Sequence, residues 1–272
     1  MTAYTVSFGQ TSSGIILNSG DTETVLSGGT TSNTIVRNGG AEIISFGGRD
    51  AGARISAHGR QDVYGSAAGA TVSVTASQIV HSGGSASGTV VVGGTEIVSA
   101  GGTTTGTTIR RYFSSTFLSQ VSINGSEIVS SGGVASGTIV GSGGEQYVYG
   151  TASGTIISNV GFELVGSGGT ASGTIIGNGG NQDVYGTAIG TTISGGYQDL
   201  FSRRHRYQHH HQRRLPVRLR HGCRHHRRER HRVRPVGRQR DQYRDQWRRR
   251  SRGAVGWERQ RHHRQQRRYD RH

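Results

Sequence analysis

The chain has 272 residues, 46 of them glycine, with one cysteine and a formal net charge of +16. The charge is divided: residues 1–200 carry six arginines, no lysine and eleven acids (6 − 11 = −5), while the last 72 residues carry 26 arginines and five acids (26 − 5 = +21). Two unlike segments are averaged, and the first holds too few leucines and aromatics for one globular core to offset the entropy of ordering 200 residues. A repeat array escapes that limit, because each unit buries its face on the next. A lone cysteine, Cys223, excludes a disulfide framework.

In chain order, the first unit is GQTSSGIILNSGDTETVLSGG at 9–29, and a second is SGGTTSNTIVRNGGAEIISF at 27–46. The N-terminal stretch before them has neither a basic n-region nor an apolar h-region, so no signal peptide is expected in this chain. No segment is long and apolar enough for a transmembrane helix, so no membrane span is expected either. SGGSASGTVVVGGTEIVSA at 82–100 continues the pattern, and RRYFSSTFLSQVSI at 110–123 interrupts it. Two readings of the interruption stand: a loop bulging from one coil, or a binding loop bearing Tyr112, Phe113 and Phe117.

The repeat is clearest at a shift of 36 residues. GGVASGTIVGSGGEQYVYGTA at 132–152 matches GGTASGTIIGNGGNQDVYGTA at 168–188 in 16 of 21 positions, with SGTIISNVGFELVGS at 153–167 between them. The period of about 16 to 20 residues is that of a solenoid. Each unit offers two short runs, of the type Thr174-Ile175-Ile176 and Gln182-Asp183-Val184-Tyr185, joined by Asn-Gly-Gly or Ser-Gly-Gly. Gly-Gly-Thr-Ala-Ser-Gly links unit to unit, with glycine where corners need φ > 0. The prediction is an all-β fold, a parallel β-helix of roughly ten short coils over residues 1–202. Ile139, Val148, Ile175 and Val184 are expected in its bore.

These residues closely resemble the passenger repeats of AIDA-type self-associating autotransporter adhesins. SGGTASGTIIGNGGNQDVYG at 167–186 and the opening unit at 9–29 carry the resemblance, which covers nearly all of residues 5–202. It implies a β-helix exported through a C-terminal barrel to the outside of the outer membrane. There it would promote adhesion to host or abiotic surfaces, auto-aggregation through self-association, and biofilm formation. It also implies O-heptosylation by a dedicated heptosyltransferase, with Ser136, Thr138, Ser172 and Thr174 as acceptors. Neither a signal nor a barrel is expected within these 272 residues.

At Arg203 the repeat stops inside a unit. After Gly195-Gly196-Tyr197-Gln198-Asp199-Leu200-Phe201-Ser202 the pattern calls for Gly-Gly-Thr, and Arg203-Arg204-His205 stands there. Read one base later, an arginine codon gives glycine and a histidine codon gives Thr or Ile, which restores Gly-Gly-Thr. RRLPVRLRHGCR at 213–224 can decode the same way as GGYQYVYGTAAG, close to EQYVYGTASG at 145–154. Residues 203–272 therefore read as an out-of-frame translation of further repeats, an Arg/His-rich tail with too few aliphatic residues for a core and expected to be disordered. The alternatives are that the basic tail binds nucleic acid or anionic lipid through their phosphates, or that His205 with His209, His210 and His211 chelates a transition metal. No specific nucleic-acid partner is expected.

No catalytic constellation is legible. Residues 1–200 hold two histidines, His58 and His81, and acids such as Glu96, Glu127 and Asp183 that recur at repeat positions. The Gly-Gly strings mark corners rather than phosphate loops, and a Walker lysine is impossible without lysine. A polysaccharide-active β-helix enzyme is the alternative, although its clustered carboxylates on one face are not apparent. The G-G-x-G-x-D ladder of a calcium-binding solenoid is absent. No catalytic residue, cofactor or metal site is assigned.

Overall fold

The computed structural model describes residues 1–116 and 119–201. Phe117 and everything from Ser202 onward, including the basic tail and its histidines, lie outside the described residues. Within them the chain is all-β, a right-through stack of coils whose strands pair in parallel with the coil before and the coil after. One coil runs Ser126–Val129, Val134–Ser136, Ile139–Val140, and the next begins at Glu145. Equivalent strands form three sheets of eleven, ten and ten strands, so the described coils number about ten, as expected. At about 4.8 Å per coil the stack is on the order of 50 Å long.

Three strands per coil correct the two-run reading. Thr170–Ser172 lies inside the Gly-Gly-Thr-Ala-Ser-Gly segment read as a linker, yet it pairs with Thr151–Ser153 and Thr187–Ile189 on either side. Such a strand could not persist alone. Its backbone groups are satisfied by the coils above and below, which replace intrinsic propensity as the source of order.

Corners follow from backbone sterics. Where the second strand turns into the third, the chain adopts positive φ in coil after coil: Gly137 at 63°, Gly154 at 64° and Gly173 at 64°. Asn33 takes the same corner at 54°, which fits the tolerance of asparagine for left-handed backbone. A different constraint acts at Gly169, where an added Cβ would lie 2.1 Å from the Val148 carbonyl oxygen. Conformation demands glycine at the first corner, and packing demands it at the second.

The bore is aliphatic along two lines. Val129, Val148, Val165 and Val184 line the first face, and Val140, Ile157 and Ile176 the third. Val148 and Val184 are thus inside, as expected. Ile139 and Ile175 are not: each is 43% exposed, and its neighbour Val140 or Ile176 is at 0%. The pleat alternates strictly, so once Thr138 and Thr174 point inward, the next residue must point out.

Arg110 still pairs with Val92 in the third sheet, and the chain leaves the stack after it. Tyr112–Thr116 and Ser119–Ile123 pair antiparallel as a hairpin, and Ser126–Val129 then resumes in register with Thr95–Val98. The described residues of the interruption form a hairpin that bulges from one coil. Tyr112 packs its Cβ against Gly93, where a Cβ would come within 2.7 Å, and Arg111 lies over the Phe113 ring at 6.0 Å. Tyr112 and Phe113 both remain exposed.

Candidate functional site on the outer faces and in the bore

The second face sends its middle residue inward and its two flanking residues outward. Because the coils are in register, outward residues form columns. One column reads Ser87, Thr105, Ser136, Ser153, Ser172 over five consecutive coils, all hydroxyls. A parallel column includes Thr151, Thr170 and Thr187. The spacing, about 4.8 Å, is that of the sheet itself. Neighbours in a column reach one another: Thr105 Oγ1 and Ser136 Oγ are 3.2 Å apart, and Ser32 Oγ donates to Ser13 Oγ at 3.0 Å. Ser136 and Ser172 also donate to backbone carbonyls one coil back, at 3.3 and 3.5 Å.

Thr138 and Thr174 do not belong to this surface. Both are buried, and each hydroxyl donates to a bore carboxyl, Thr138 to Glu127 Oε2 at 3.0 Å and Thr174 to Glu163 Oε2 at 3.5 Å. In the folded solenoid, therefore, neither threonine presents its hydroxyl to solvent. Ser136 and Ser172 keep outward positions, half-buried at the strand edge.

The repeat-position acids have a role that the sequence reading missed. The second residue of each first-face strand points into the bore, giving the column Glu23, Glu42, Gln61, Gln78, Glu96, Glu127, Gln146, Glu163, Gln182. All are fully buried. Six of them are met within their own coil by a threonine, for example Thr34 donating to Glu23 at 3.0 Å, Thr89 to Gln78 at 3.0 Å, Thr107 to Glu96 at 2.9 Å and Thr155 to Gln146 at 3.1 Å, while Ala53 and Ala70 stand where Glu42 and Gln61 would have theirs. The signal was available as Glu or Gln followed, usually eleven residues on, by Thr. Burial lifts the carboxyls of Glu42, Glu96, Glu127 and Glu163. Glu96 is pushed up to about 8, with the Glu127 charge adding to desolvation, and Glu163 to about 7 against the hydrogen bond from Gln182.

Carboxylates do come together at one outer place, contrary to the sequence expectation. Asp183 and Asp199 are in register on adjacent coils of the first face. Burial, and then the Asp199 charge, raises Asp183 to about 6. Farther back on the same face Asp62 Oδ1 is contacted by Arg60 at 2.6 Å and by His81 Nε2 at 2.7 Å, with Tyr64 stacked on His81 at 4.1 Å between centroids. Among the described residues no cluster of three or more His, Cys, Asp or Glu is placed to hold a metal. No helix among them is long and apolar enough to cross a membrane.

No family model matches the chain, and no curated protein matches it. Among solved structures the chain is similar to a crystal structure of a TibC-catalyzed hyper-glycosylated TibA fragment. Identity is 29%, the match covers 75% of this chain and 92% of that one, and the TM-score is 0.43.

Proposed function

We propose that residues 1–202 are passenger repeats of an AIDA-type autotransporter adhesin, held at the bacterial cell surface and acting there without catalysis. The reading rests on the repeat motifs at 9–29 and 167–186 and is carried by the hydroxyl columns of the second face. Regular hydroxyls at about 4.8 Å offer many weak polar contacts to a second rod or to a polar surface, and repetition turns weak contacts into avidity. A non-enzymatic role is supported by the acids of the bore: Glu96, Glu127 and Glu163 are buried where no substrate reaches. Self-association between passengers, attachment to host or abiotic surfaces and biofilm formation follow from that reading. So does O-heptosylation at Ser136 and Ser172 by a heptosyltransferase, now restricted to the outward serines.

The test is display. Residues 1–202 carried to the surface of a non-adherent bacterium by a supplied signal and barrel should speed cell settling relative to an unrelated passenger. Equal settling would remove the main support for the adhesin reading. The Arg/His-rich segment 203–272 we take as out-of-frame translation of further repeats. Nucleotide sequence across codons 200–205 and downstream tests it, and the expected result is a coding repeat, then a barrel, in the shifted frame. A shifted frame closed by early stops would refute it.

A further inference from the structure

The bore ladder has a direction. Gln61 Nε2 donates to Glu42 Oε2 at 2.7 Å, Gln78 Nε2 to Gln61 Oε1 at 2.6 Å, and Gln146 Nε2 to Glu127 Oε2 at 2.7 Å. Gln182 Nε2 donates to Glu163 Oε2, and Gln198 Nε2 to Gln182 Oε1 at 2.6 Å. Each of these amides turns its N–H back toward the coil before it. An amide suits this because it has a donor for one neighbour and an acceptor for the other.

Glutamates occupy the same column at 42, 96 and 163, and an ionised carboxylate has no donor to offer. In each, one oxygen is satisfied: Glu42 Oε2 by Gln61, Glu96 Oε2 by Thr107, and Glu163 Oε2 by Gln182 and Thr174. The other oxygen, Oε1 in all three, is buried and has no hydrogen-bond partner. Acceptors flank each of them in register. Glu23 precedes Glu42, Gln78 precedes and Glu127 follows Glu96, and Gln146 precedes Glu163. The charged groups that bear on them are also acids: Glu23 and Asp50 on Glu42, Glu127 on Glu96, and Glu127 again on Glu163. Among the described residues no Arg or His side chain is buried with them. The hydroxyls nearest to them in the coil before, Thr34, Thr89 and Thr155, already donate to Glu23, Gln78 and Gln146. A buried oxygen left without a donor beside acceptors and other acids is costly as an anion and satisfied as an O–H.

We propose that Glu42, Glu96 and Glu163 are neutral carboxylic acids in the folded solenoid. Each supplies an O–H where a glutamine of the same column supplies an N–H, so the rod is a pH-sensitive element that loosens as alkali strips these protons. Folding near neutral pH takes up a proton at each of these carboxyls, and unfolding returns it to solvent. The directions of titration agree: Glu42 lies well above the ordinary carboxyl value of 4.5, Glu96 at about 8 and Glu163 at about 7. The unfolded chain binds fewer protons than the native one throughout that window. Stability is therefore complete below the unfolded value near 4.5 and falls as pH rises through about 7 to 8.

The experiment uses the full 272-residue chain, wild type and the triple variant E42Q/E96Q/E163Q. Thermal midpoints are measured from about pH 5 to about pH 9, where the wild type should lose on the order of 5 °C or more. The variant should lose less than half of that. A second readout does not depend on the variant folding. At about pH 6 carboxyls with ordinary values are ionised, so an infrared carbonyl stretch of protonated carboxylic acid in the wild type reports the raised acids, with Asp183 contributing only in part. That band should be present, and should lose most of its intensity in the variant. A wild type without the band at that pH, a band unchanged by the three substitutions, or midpoints as flat as the variant's would each overturn the proposal.

Discussion

Ile156 and Ile157 are adjacent, chemically identical, and oppositely placed: Ile156 is 40% exposed on the third face, Ile157 at 0% in the bore. Truncating each to alanine separates the energetics of the bore from composition. At Ile157 the loss is the transfer free energy of the removed carbons plus a cavity term. Val140 and Ile176 flank it in register one coil away on each side. Those neighbours are fixed by their own ladders, so the void cannot collapse, and the cost belongs in the middle of the range for buried Ile→Ala, about 3–4 kcal/mol. Ile156→Ala removes the same atoms from a half-wet site with no cavity, about 1 kcal/mol. For a folded unit of this size these correspond to midpoint shifts of roughly 10 °C and about 3 °C. Far-UV circular dichroism of the full chain on heating measures both. Urea titration alongside would reveal whether Ile157→Ala uncouples the coils, by a lower slope as well as a lower midpoint. Equal shifts for the two variants would refute the inward and outward assignment of the third face, and with it the bore as described.

Three further outcomes are expected. At Gly173, φ +64°, substitutions should rank Asn, then Ala, then Val in increasing cost, with Ala at about 1–2 kcal/mol; chemical denaturation measures the order, and a harmless Val would contradict the left-handed corner. Co-expressed with a heptosyltransferase of the resembled family, the chain should carry sugar on Ser136 or Ser172 and none on Thr138 or Thr174; peptide mass spectrometry decides, and sugar on either threonine would show that modification precedes folding. Asp199→Asn should lower the Asp183 value below about 6, because it removes the like charge while leaving the burial. Asp183 therefore opposes folding as pH rises through about 6, and the variant should lose less stability across that interval than the wild type; an unchanged side-chain NMR titration of Asp183 would show that the two aspartates do not interact.

Much of the architecture was legible because glycine pairs recur at coil corners, and a corner is a stronger signal than any strand of three residues. Sidedness was not legible in Thr138-Ile139-Val140. Three residues that all favour strands carry no contrast between faces, and threonine fits either one. What decides it is Glu127, whose Oε2 accepts the Thr138 hydroxyl and draws that residue inward. The third strand hid for a similar reason, since Thr170-Ala171-Ser172 has turn composition and gains its order only from the coils around it. The role of the acids was missed because a recurring Glu carries no mark of burial in the sequence. In a bore lined by hydroxyls and amides, hydrogen bonds replace water.

The polar column also answers a question that the aliphatic lines leave open. Val and Ile repeat almost interchangeably down the bore, so hydrophobic contact alone would tolerate one coil slipping against the next. Slippage by a single residue would turn every inward side chain outward, and apolar packing resists that strongly. Slippage by two residues keeps each side chain on its face and would cost the aliphatic lines far less. The column of Glu and Gln does not allow it. A two-residue shift would carry Gln146 Nε2 away from Glu127 Oε2, Gln61 Nε2 away from Glu42 Oε2 and Gln182 Nε2 away from Glu163 Oε2, leaving buried donors and acceptors unpaired. Aliphatic burial makes the stack stable, and the hydrogen-bonded column makes its register unique. Register is also what aligns Ser87 through Ser172 on the outside, so the interior ladder is what keeps the outer hydroxyl columns straight.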